Sequence, residues 1–137
     1  MKFIVHTDGG ARGNPGPAAI GVVIEDDTKK VVQKFGKQIG VATNNVAEYT
    51  AVCESLKALQ PIAGESPDIE FFLDSTLVVN QLNGIFKIKD PTLRQLVTAI
   101  RILEQEVGGV VRYTSIPREQ NRRADFLVNQ ALDASLL

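Results

Sequence analysis

Three short strands in succession, followed by alternating helices and strands, leave this chain few ways to fold. Its residue patterns predict strands at residues 2–7, 18–25, 31–39, 69–73 and 110–116. Helices are predicted at residues 45–59, 75–82 and 121–136, with another that starts at Asp90-Pro91 and is ended by Gly108-Gly109. A turn rich in glycine and proline is predicted at residues 9–17. The order β-β-β-α-β-α-α-β-α predicts an α/β fold, a five-stranded mixed sheet with helices packed on both faces.

The composition limits the class of protein. The 137 residues predict a single domain, 1–137, and 44% apolar with 23% charged residues is typical of a globular chain. The sequence shows neither a membrane-spanning apolar run nor a secretory pattern, so we expect a cytoplasmic protein without a membrane partner. A monomer is a separate expectation, to which these patterns do not speak. The single cysteine excludes a disulfide framework and a cysteine-rich zinc site. A net charge of −1 gives no overall attraction to nucleic acid.

Glu48 occupies a position where a leucine would be expected. Helical spacing places it on the apolar face of the helix at residues 45–59, in line with Val52, Ser55 and Leu59. A carboxylate on a face that packs against the core is costly unless another group pairs with it or binds it. Glu48 is therefore a candidate for binding or catalysis.

Three further acids are predicted to meet Glu48 at one edge of the sheet. If the first strand runs up, the hairpins send the second down and the third up, and helical crossovers return the last two strands up. Asp8 then closes the first strand at the top, where Glu48 opens the helix after the third. Asp74 closes the fourth strand there, and Asp125 lies in the first turn or so of the last helix. Ligands of open α/β sheets bind at this edge.

Each acid also has an ordinary structural explanation. Asp8 precedes a glycine, as in many turns, and Asp74 is placed to cap the helix that follows it. Glu48 stands three residues after Asn45, which is the spacing of a capping box. Asp125 lies in a first helical turn, where the helix dipole favours an acid. These explanations stay open for each residue taken singly.

Taken together, the four acids predict a metal site. Crowded carboxylates repel one another and need compensating cations. Oxygen ligands in a chain with one histidine suit Mg²⁺ or Mn²⁺. Two such ions, about 3.5–4 Å apart, form the arrangement used for phosphodiester hydrolysis. The candidate catalytic and metal-binding residues are Asp8, Glu48, Asp74 and Asp125.

Residues near these acids suit the backbone of a nucleic acid. Gly9 and Gly10 allow the main chain to approach a ligand closely. The asparagines at positions 14, 44 and 45 offer donors and acceptors that match ribose hydroxyls. Thr43 precedes a helix N-terminus, which favours a phosphate. Turn and cap formation is the alternative for all of them.

Four segments, in order, resemble ribonuclease H of type 1. The resemblance extends over nearly the whole chain, from Lys2 to about Leu132. The segments are Thr7-Asp8-Gly9-Gly10 with Asn14-Pro15-Gly16, then Thr43-Asn44-Asn45-Val46-Ala47-Glu48, then Leu73-Asp74-Ser75 with Val78-Val79-Asn80-Gln81-Leu82-Asn83-Gly84, and Asn121-Arg122-Arg123-Ala124-Asp125 with Leu127 and Asn129.

The resemblance implies a ribonuclease H-like fold and an endoribonuclease that hydrolyses the RNA strand of RNA/DNA hybrids. It implies 5′-phosphate and 3′-hydroxyl products, and two Mg²⁺ or Mn²⁺ ions held by the four acids when substrate is bound. It also implies that Thr43 belongs to a phosphate pocket for the DNA strand. The predicted substrate-binding residues are Gly9, Gly10, Asn14, Thr43, Asn44, Asn45, Ser75 and Arg118. Double-stranded RNA is a second candidate partner.

Two departures from the family pattern matter. Many members carry a histidine in the loop before the fourth acid, whereas the loop here is Ile116-Pro117-Arg118-Glu119-Gln120, and Arg118 is the hypothetical substitute. Some members also carry a long basic protrusion, which is reduced here to residues 84–91. The alternatives are a nuclease for branched DNA or double-stranded RNA, a hybrid-binding module without turnover, and a protein-interaction domain whose acids are only caps.

Overall fold

The computed structural model describes residues 1–134, and within that range it contains five strands and four α-helices. The strands are β1 (Lys2–Ala11), β2 (Gly16–Asp26), β3 (Val31–Ala42), β4 (Asp68–Leu73) and β5 (Val110–Ser115). The helices are α1 (Asn44–Leu59), α2 (Thr76–Leu82), α3 (Pro91–Val107) and α4 (Arg122–Ala134). This order confirms the predicted succession, and a short 3₁₀ turn at Arg118–Gln120 is an addition to it.

The strands form one mixed sheet in the order β3-β2-β1-β4-β5. β2 is antiparallel to β1 and to β3, whereas β4 is parallel to β1 and β5 is parallel to β4. The carboxyl ends of β1, β4 and β5 therefore lie at the same edge of the sheet, as the sequence predicts. The helices that follow these strands begin at this edge.

Helices cover both faces of the sheet. α1 and α3 pack on one face, over a core that includes Phe3, Ile24 and Phe71. α4 packs on the other face through Val128 and Leu132, which meet Ala19 of β2. The predicted helix-covered mixed sheet is thereby confirmed. Within residues 1–134, no helix has the length and apolarity needed to cross a bilayer.

Two glycines let α4 lie directly on the sheet. Gly21 of β2 and Gly36 of β3 are partners across the two strands. A Cβ atom at Gly21 would be 2.1 Å from the carbonyl oxygen of Ala124, and one at Gly36 would be 2.5 Å from that of Leu127. Asp8 pairs with Gly21 on its other side. α4 can therefore lie next to Asp8 only because neither Gly21 nor Gly36 has a side chain.

The predicted turn at residues 9–17 is wrong at both ends. β1 continues to Ala11 and β2 begins at Gly16, because residues 8–11 pair with residues 18–21 in an antiparallel ladder. Gly9 and Gly10 are therefore strand residues, and Asp8 lies inside β1 instead of closing it.

Smaller differences occur at the helix ends. α1 begins one residue earlier than predicted, since Thr43 is its N-cap and accepts a hydrogen bond from the Val46 N–H at 3.2 Å. α4 begins at Arg122 and not at Asn121. Positions 135 and 136 of that predicted helix lie outside the described residues.

Candidate active site

Four elements bring the predicted acids to one cleft at the carboxyl edge of the sheet. Asp8 comes from β1, Asp74 follows the last residue of β4, and Asp125 lies in the first turn of α4. Glu48 comes from α1, one turn beyond its N-terminus. The residues that line this cleft include Asp8, Glu48, Asp74 and Asp125, together with Gly9, Gly10, Asn44, Asn45, Ser75 and Arg118.

Three of the acids are close enough to share a metal ion. One carboxylate oxygen from each of Asp8, Glu48 and Asp74 lies within 4.8 Å of the other two. Asp125 faces this group from α4, and its Oδ1 is 3.7 Å from Nη2 of Arg118. The side chain of Arg118 is 80% exposed, so its charge is available to a ligand in the cleft.

Capping does not explain Glu48 or Asp74. The N-cap of α1 is Thr43, and the N-cap of α2 is Ser75, whose hydroxyl accepts a hydrogen bond from the Val78 N–H at 3.3 Å. The turn explanation for Asp8 is also wrong, because the residue lies in a strand. Asp125 does occupy the first turn of α4, so a favourable interaction with the helix dipole remains part of its role.

Glu48 is held in place from one side only. Its Oε1 accepts a hydrogen bond from the Gly9 N–H at 3.1 Å, which ties α1 to β1. While Glu48 and Asp8 are both ionised, Oε2 of Glu48 is buried without a hydrogen-bond partner within residues 1–134. A buried carboxylate oxygen without a partner is costly. A cation in the cleft would remove that cost, so the donor set fits a hard divalent ion.

Burial and mutual repulsion keep protons on this site. Asp8 is 7% exposed and Glu48 is 6% exposed. Burial, with the nearby charges of Asp74 and Asp125, raises the pKa of Asp8 from 3.8 to about 7. Burial and then the charge of Asp8 raise the pKa of Glu48 well above its ordinary value. In the metal-free protein, the pair is expected to retain a proton near neutral pH.

We expect Asp8 to destabilise the metal-free protein increasingly as pH rises from about 4 to about 7. In this interval the unfolded chain has released the proton of Asp8, because its pKa is 3.8, whereas the folded chain retains it. The Asp8→Asn variant has no such proton. Its melting temperature in chelator, relative to that of wild type, should therefore rise across this interval. Scanning calorimetry at several pH values measures this; a pH-independent difference would contradict it.

The predicted substrate-binding residues at the entrance are joined by hydrogen bonds. Oδ1 of Asn14 accepts from the Asn44 N–H at 2.9 Å, and Oδ1 of Asn44 accepts from the Ala11 N–H at 2.8 Å. These bonds fix the β1–β2 turn against the N-terminus of α1. Asn14 and Thr43 lie beside the cleft, both adjacent to Asn44, which lines it.

One residue of this site was not predicted to belong to it. Asn121 is buried, and its amide nitrogen donates a hydrogen bond to Oδ2 of Asp74 at 3.1 Å. In the sequence it opens the fourth family-like segment, Asn121-Arg122-Arg123-Ala124-Asp125, and stands just before a helix, which is also typical of ordinary caps. Nothing in that local pattern indicates a contact with a strand end 47 residues away.

Comparisons with known proteins agree on one family. A family model described as "Reverse transcriptase-like" matches residues 6–131. The chain is 43% identical over 129 residues to "Ribonuclease HI" of Halobacterium salinarum, an alignment that covers 93% of this chain and 63% of that protein. It is 38% identical over 136 residues to "Bifunctional protein Rv2228c" of Mycobacterium tuberculosis, covering 98% of this chain and 36% of that protein.

Solved structures match the whole fold. The structure of LC11-RNase H1, isolated from compost by a metagenomic approach, is 44% identical with a TM-score of 0.93 and a coverage of 99% of each chain. A crystal structure of LC11-RNase H1 in complex with an RNA/DNA hybrid is 43% identical with a TM-score of 0.90, and covers 98% of this chain and 99% of that chain. The chain spans about a third of the mycobacterial protein and less than two thirds of the halobacterial one.

Proposed function

Because the chain belongs to the type 1 ribonuclease H family, we propose that it is a metal-dependent endonuclease for RNA/DNA hybrids. It hydrolyses the RNA strand and leaves 5′-phosphate and 3′-hydroxyl ends. The observation that carries this proposal is the group of three carboxylate oxygens within 4.8 Å of one another, with Asp125 facing it across the cleft. The hybrid bound to LC11-RNase H1 supports the class of substrate. We assign residues 1–137 to one ribonuclease H domain.

The four acids are the proposed ligands of Mg²⁺ or Mn²⁺, with two ions in the substrate complex. Their oxygen atoms suit these ions, and the partnerless Oε2 of Glu48 provides an unused acceptor. Two bound ions would activate a water molecule and stabilise the leaving 3′ oxygen. The repulsion that raises the pKa of Asp8 would then be compensated, so that its carboxylate is ionised at neutral pH.

The remaining residues position the substrate. Gly9 and Gly10 expose their backbone to the cleft, so that the RNA strand can approach the acids closely. Glu48, fixed by the Gly9 N–H, accepts a hydrogen bond from a ribose 2′-hydroxyl and so distinguishes RNA from DNA.

A second set of residues contacts the two strands farther from the acids. Asn14, Asn44 and Asn45 contact the sugars of the hybrid. Thr43 binds a phosphate of the DNA strand at the N-terminus of α1, and Ser75 lies beside Asp74 in the cleft.

The decisive test is a panel of end-labelled RNA/DNA, RNA/RNA and DNA/DNA duplexes, incubated with Mg²⁺, with Mn²⁺ or with chelator. We expect cleavage of the RNA strand of the hybrid, with products that a polymerase can extend from their 3′-hydroxyl ends, and no cleavage in chelator. Equal cleavage of the DNA duplex, or activity that survives chelator, would contradict the proposal. The RNA/RNA duplex tests the second candidate substrate.

Arg118 is proposed to take the place of the loop histidine of other members. Its guanidinium faces Asp125 across the cleft mouth. Replacing Arg118 by Ala should lower turnover about tenfold, by removing about 1.4 kcal/mol of favourable charge interaction with the reacting phosphate. Stability should hardly change, because an exposed ion pair contributes little.

Single-turnover and steady-state rates measure this effect of Arg118. The matched control is Arg112→Ala, since Arg112 pairs with Asp68 and Glu70 on the outer part of the sheet. Unchanged rates in Arg118→Ala would remove the residue from the mechanism. Cytoplasmic location and a monomeric state stay predictions from the sequence.

A further inference from the structure

Asn121 is a buried polar residue to which the mechanism above gives no part. It lies between the 3₁₀ turn and α4 and is 1% exposed. Its amide nitrogen donates two hydrogen bonds, to the carbonyl oxygen of Thr7 at 2.8 Å and to Oδ2 of Asp74 at 3.1 Å. These acceptors belong to β1, which carries Asp8, and to the proposed metal ligand that follows β4.

The two hydrogen bonds lie where β1 and β4 separate. The parallel pairing of these strands ends at His6 and Phe72, although both strands continue beyond it. Thr7 is the first residue of β1 past the last pair, and its carbonyl oxygen would otherwise be a buried acceptor at the break in the ladder. The Asn121 amide supplies the donor there, and bridges the gap between the two strand ends.

The backbone of Asn121 also fixes the fourth acid. Its carbonyl oxygen accepts the N–H of Asp125 at 3.1 Å, and its own N–H donates to the carbonyl oxygen of Arg118 at 2.9 Å. Asn121 therefore joins the strand that carries Asp8, the carboxylate of Asp74 and the first turn of α4. Glu48 is held separately, by the Gly9 N–H.

The two acceptors determine the orientation of the Asn121 amide. A carbonyl and a carboxylate oxygen only accept, so only the NH₂ end of the amide can face them. The opposite end, Oδ1, is buried without a hydrogen-bond partner within residues 1–134. A leucine of similar size would fill the same space without that cost. Packing alone therefore does not account for an asparagine at this position.

We propose that Asn121 is a positioning residue of the metal site, which orients Asp74 and holds the ends of β1 and β4 so that Asp8 and Asp74 stay close to each other. This inference rests on the proposed function. Carboxylates that bind metals depend on outer hydrogen bonds of this kind, and loss of one typically weakens metal affinity or activity about 10–100-fold.

The test compares wild type, Asn121→Ala and a matched control, Asn83→Ala. Asn83 also donates its amide to a strand carbonyl, that of Tyr113 at 3.1 Å, at a position outside the cleft. Calorimetric titration measures Mg²⁺ affinity of the nucleic acid-free protein, and kinetics give kcat and KM for the hybrid. For Asn121→Ala we expect Mg²⁺ affinity and kcat about 10–100-fold lower, with KM within about twofold of wild type. Asn83→Ala should match wild type.

High Mg²⁺ concentration should restore part of the rate of Asn121→Ala, because the proposed defect is in metal binding. A purely structural role would lower the yield of folded protein without changing the Mg²⁺ affinity of the folded fraction. Mg²⁺ affinity and kcat within about twofold of wild type would overturn the inference.

A second measurement uses wild type alone, in case Asn121→Ala does not fold. In ¹H–¹⁵N NMR spectra, the side-chain amide of Asn121 should exchange slowly with solvent and shift on addition of Mg²⁺. Fast exchange, at the rate of the exposed Asn129 amide, would overturn the inference. Wild-type protein that neither binds Mg²⁺ nor cleaves the hybrid would contradict the proposed function. If wild type does both, and Asn121→Ala has the same Mg²⁺ affinity and kcat, only the inference about Asn121 is contradicted.

Discussion

Replacing Asp8 by Asn is expected to abolish cleavage of the hybrid while the protein stays folded. Asn is nearly the same size, so the packing in β1 is retained, but the central charge among the acids is lost. If that charge holds the ions, several kcal/mol of transition-state stabilisation disappears, which lowers turnover by about 10³-fold or more. Turnover on the hybrid in Mg²⁺ measures the effect.

The same variant should lose its stabilisation by metal. Divalent ions that bind only the folded protein raise its melting temperature. Wild type is therefore expected to melt at a higher temperature in millimolar Mg²⁺ than in chelator, and Asp8→Asn at nearly the same temperature in both. Asp27→Asn, in the exposed β2–β3 hairpin, is the control and should behave as wild type. Full activity of Asp8→Asn would refute the assignment of this acid.

The second large effect is expected for Gly9→Ala. A Cβ atom at Gly9 would be 2.3 Å from the carbonyl carbon of Ala47 and 2.5 Å from the backbone nitrogen of Glu48. The obstacle is helix backbone, which cannot rotate away, so α1 must move off the sheet. We expect a loss of about 1–3 kcal/mol of stability from overpacking, and a larger loss of turnover because Glu48 moves with α1.

Gly10→Ala is the matched control for this prediction. A Cβ atom at Gly10 would be 3.6 Å from Cγ1 of Val128, which is an ordinary contact. Denaturant unfolding of the two variants should therefore differ clearly, although the substitutions are chemically identical and adjacent. Equal stability of the two variants would show that α1 does not rest on β1 as described.

The sequence predicts the fold well because its constraints are local. Hairpins and helical crossovers determine strand direction, so the arrangement of β1, β4 and β5 follows from the order of the elements. The bounds of β1 could not be predicted this way. Residues 8–11 look like part of a turn by composition, but they pair with β2, and that pairing depends on tertiary structure.

The candidate site, like the fold, could be predicted from the sequence only in part. Asp8, Glu48 and Asp74 were predictable as neighbours because each is attached to an element whose direction is known. Asn121 was not, because its contacts depend on where two distant strands diverge. The capping alternative for Glu48 and Asp74 was wrong. Thr43 and Ser75 cap the helices, and Glu48 and Asp74 do not.

The glycine pair under α4 makes the proposed site sensitive to substitutions that lie outside the cleft. Gly21 and Gly36 lie outside the cleft lining, yet any side chain there would lift the helix that carries Asp125. A survey of random mutations scored only for cleavage would mark these positions as intolerant, alongside the acids. Such a survey would not separate residues that act in catalysis from residues that only position a helix, and Gly21 and Gly36 would be mistaken for the former.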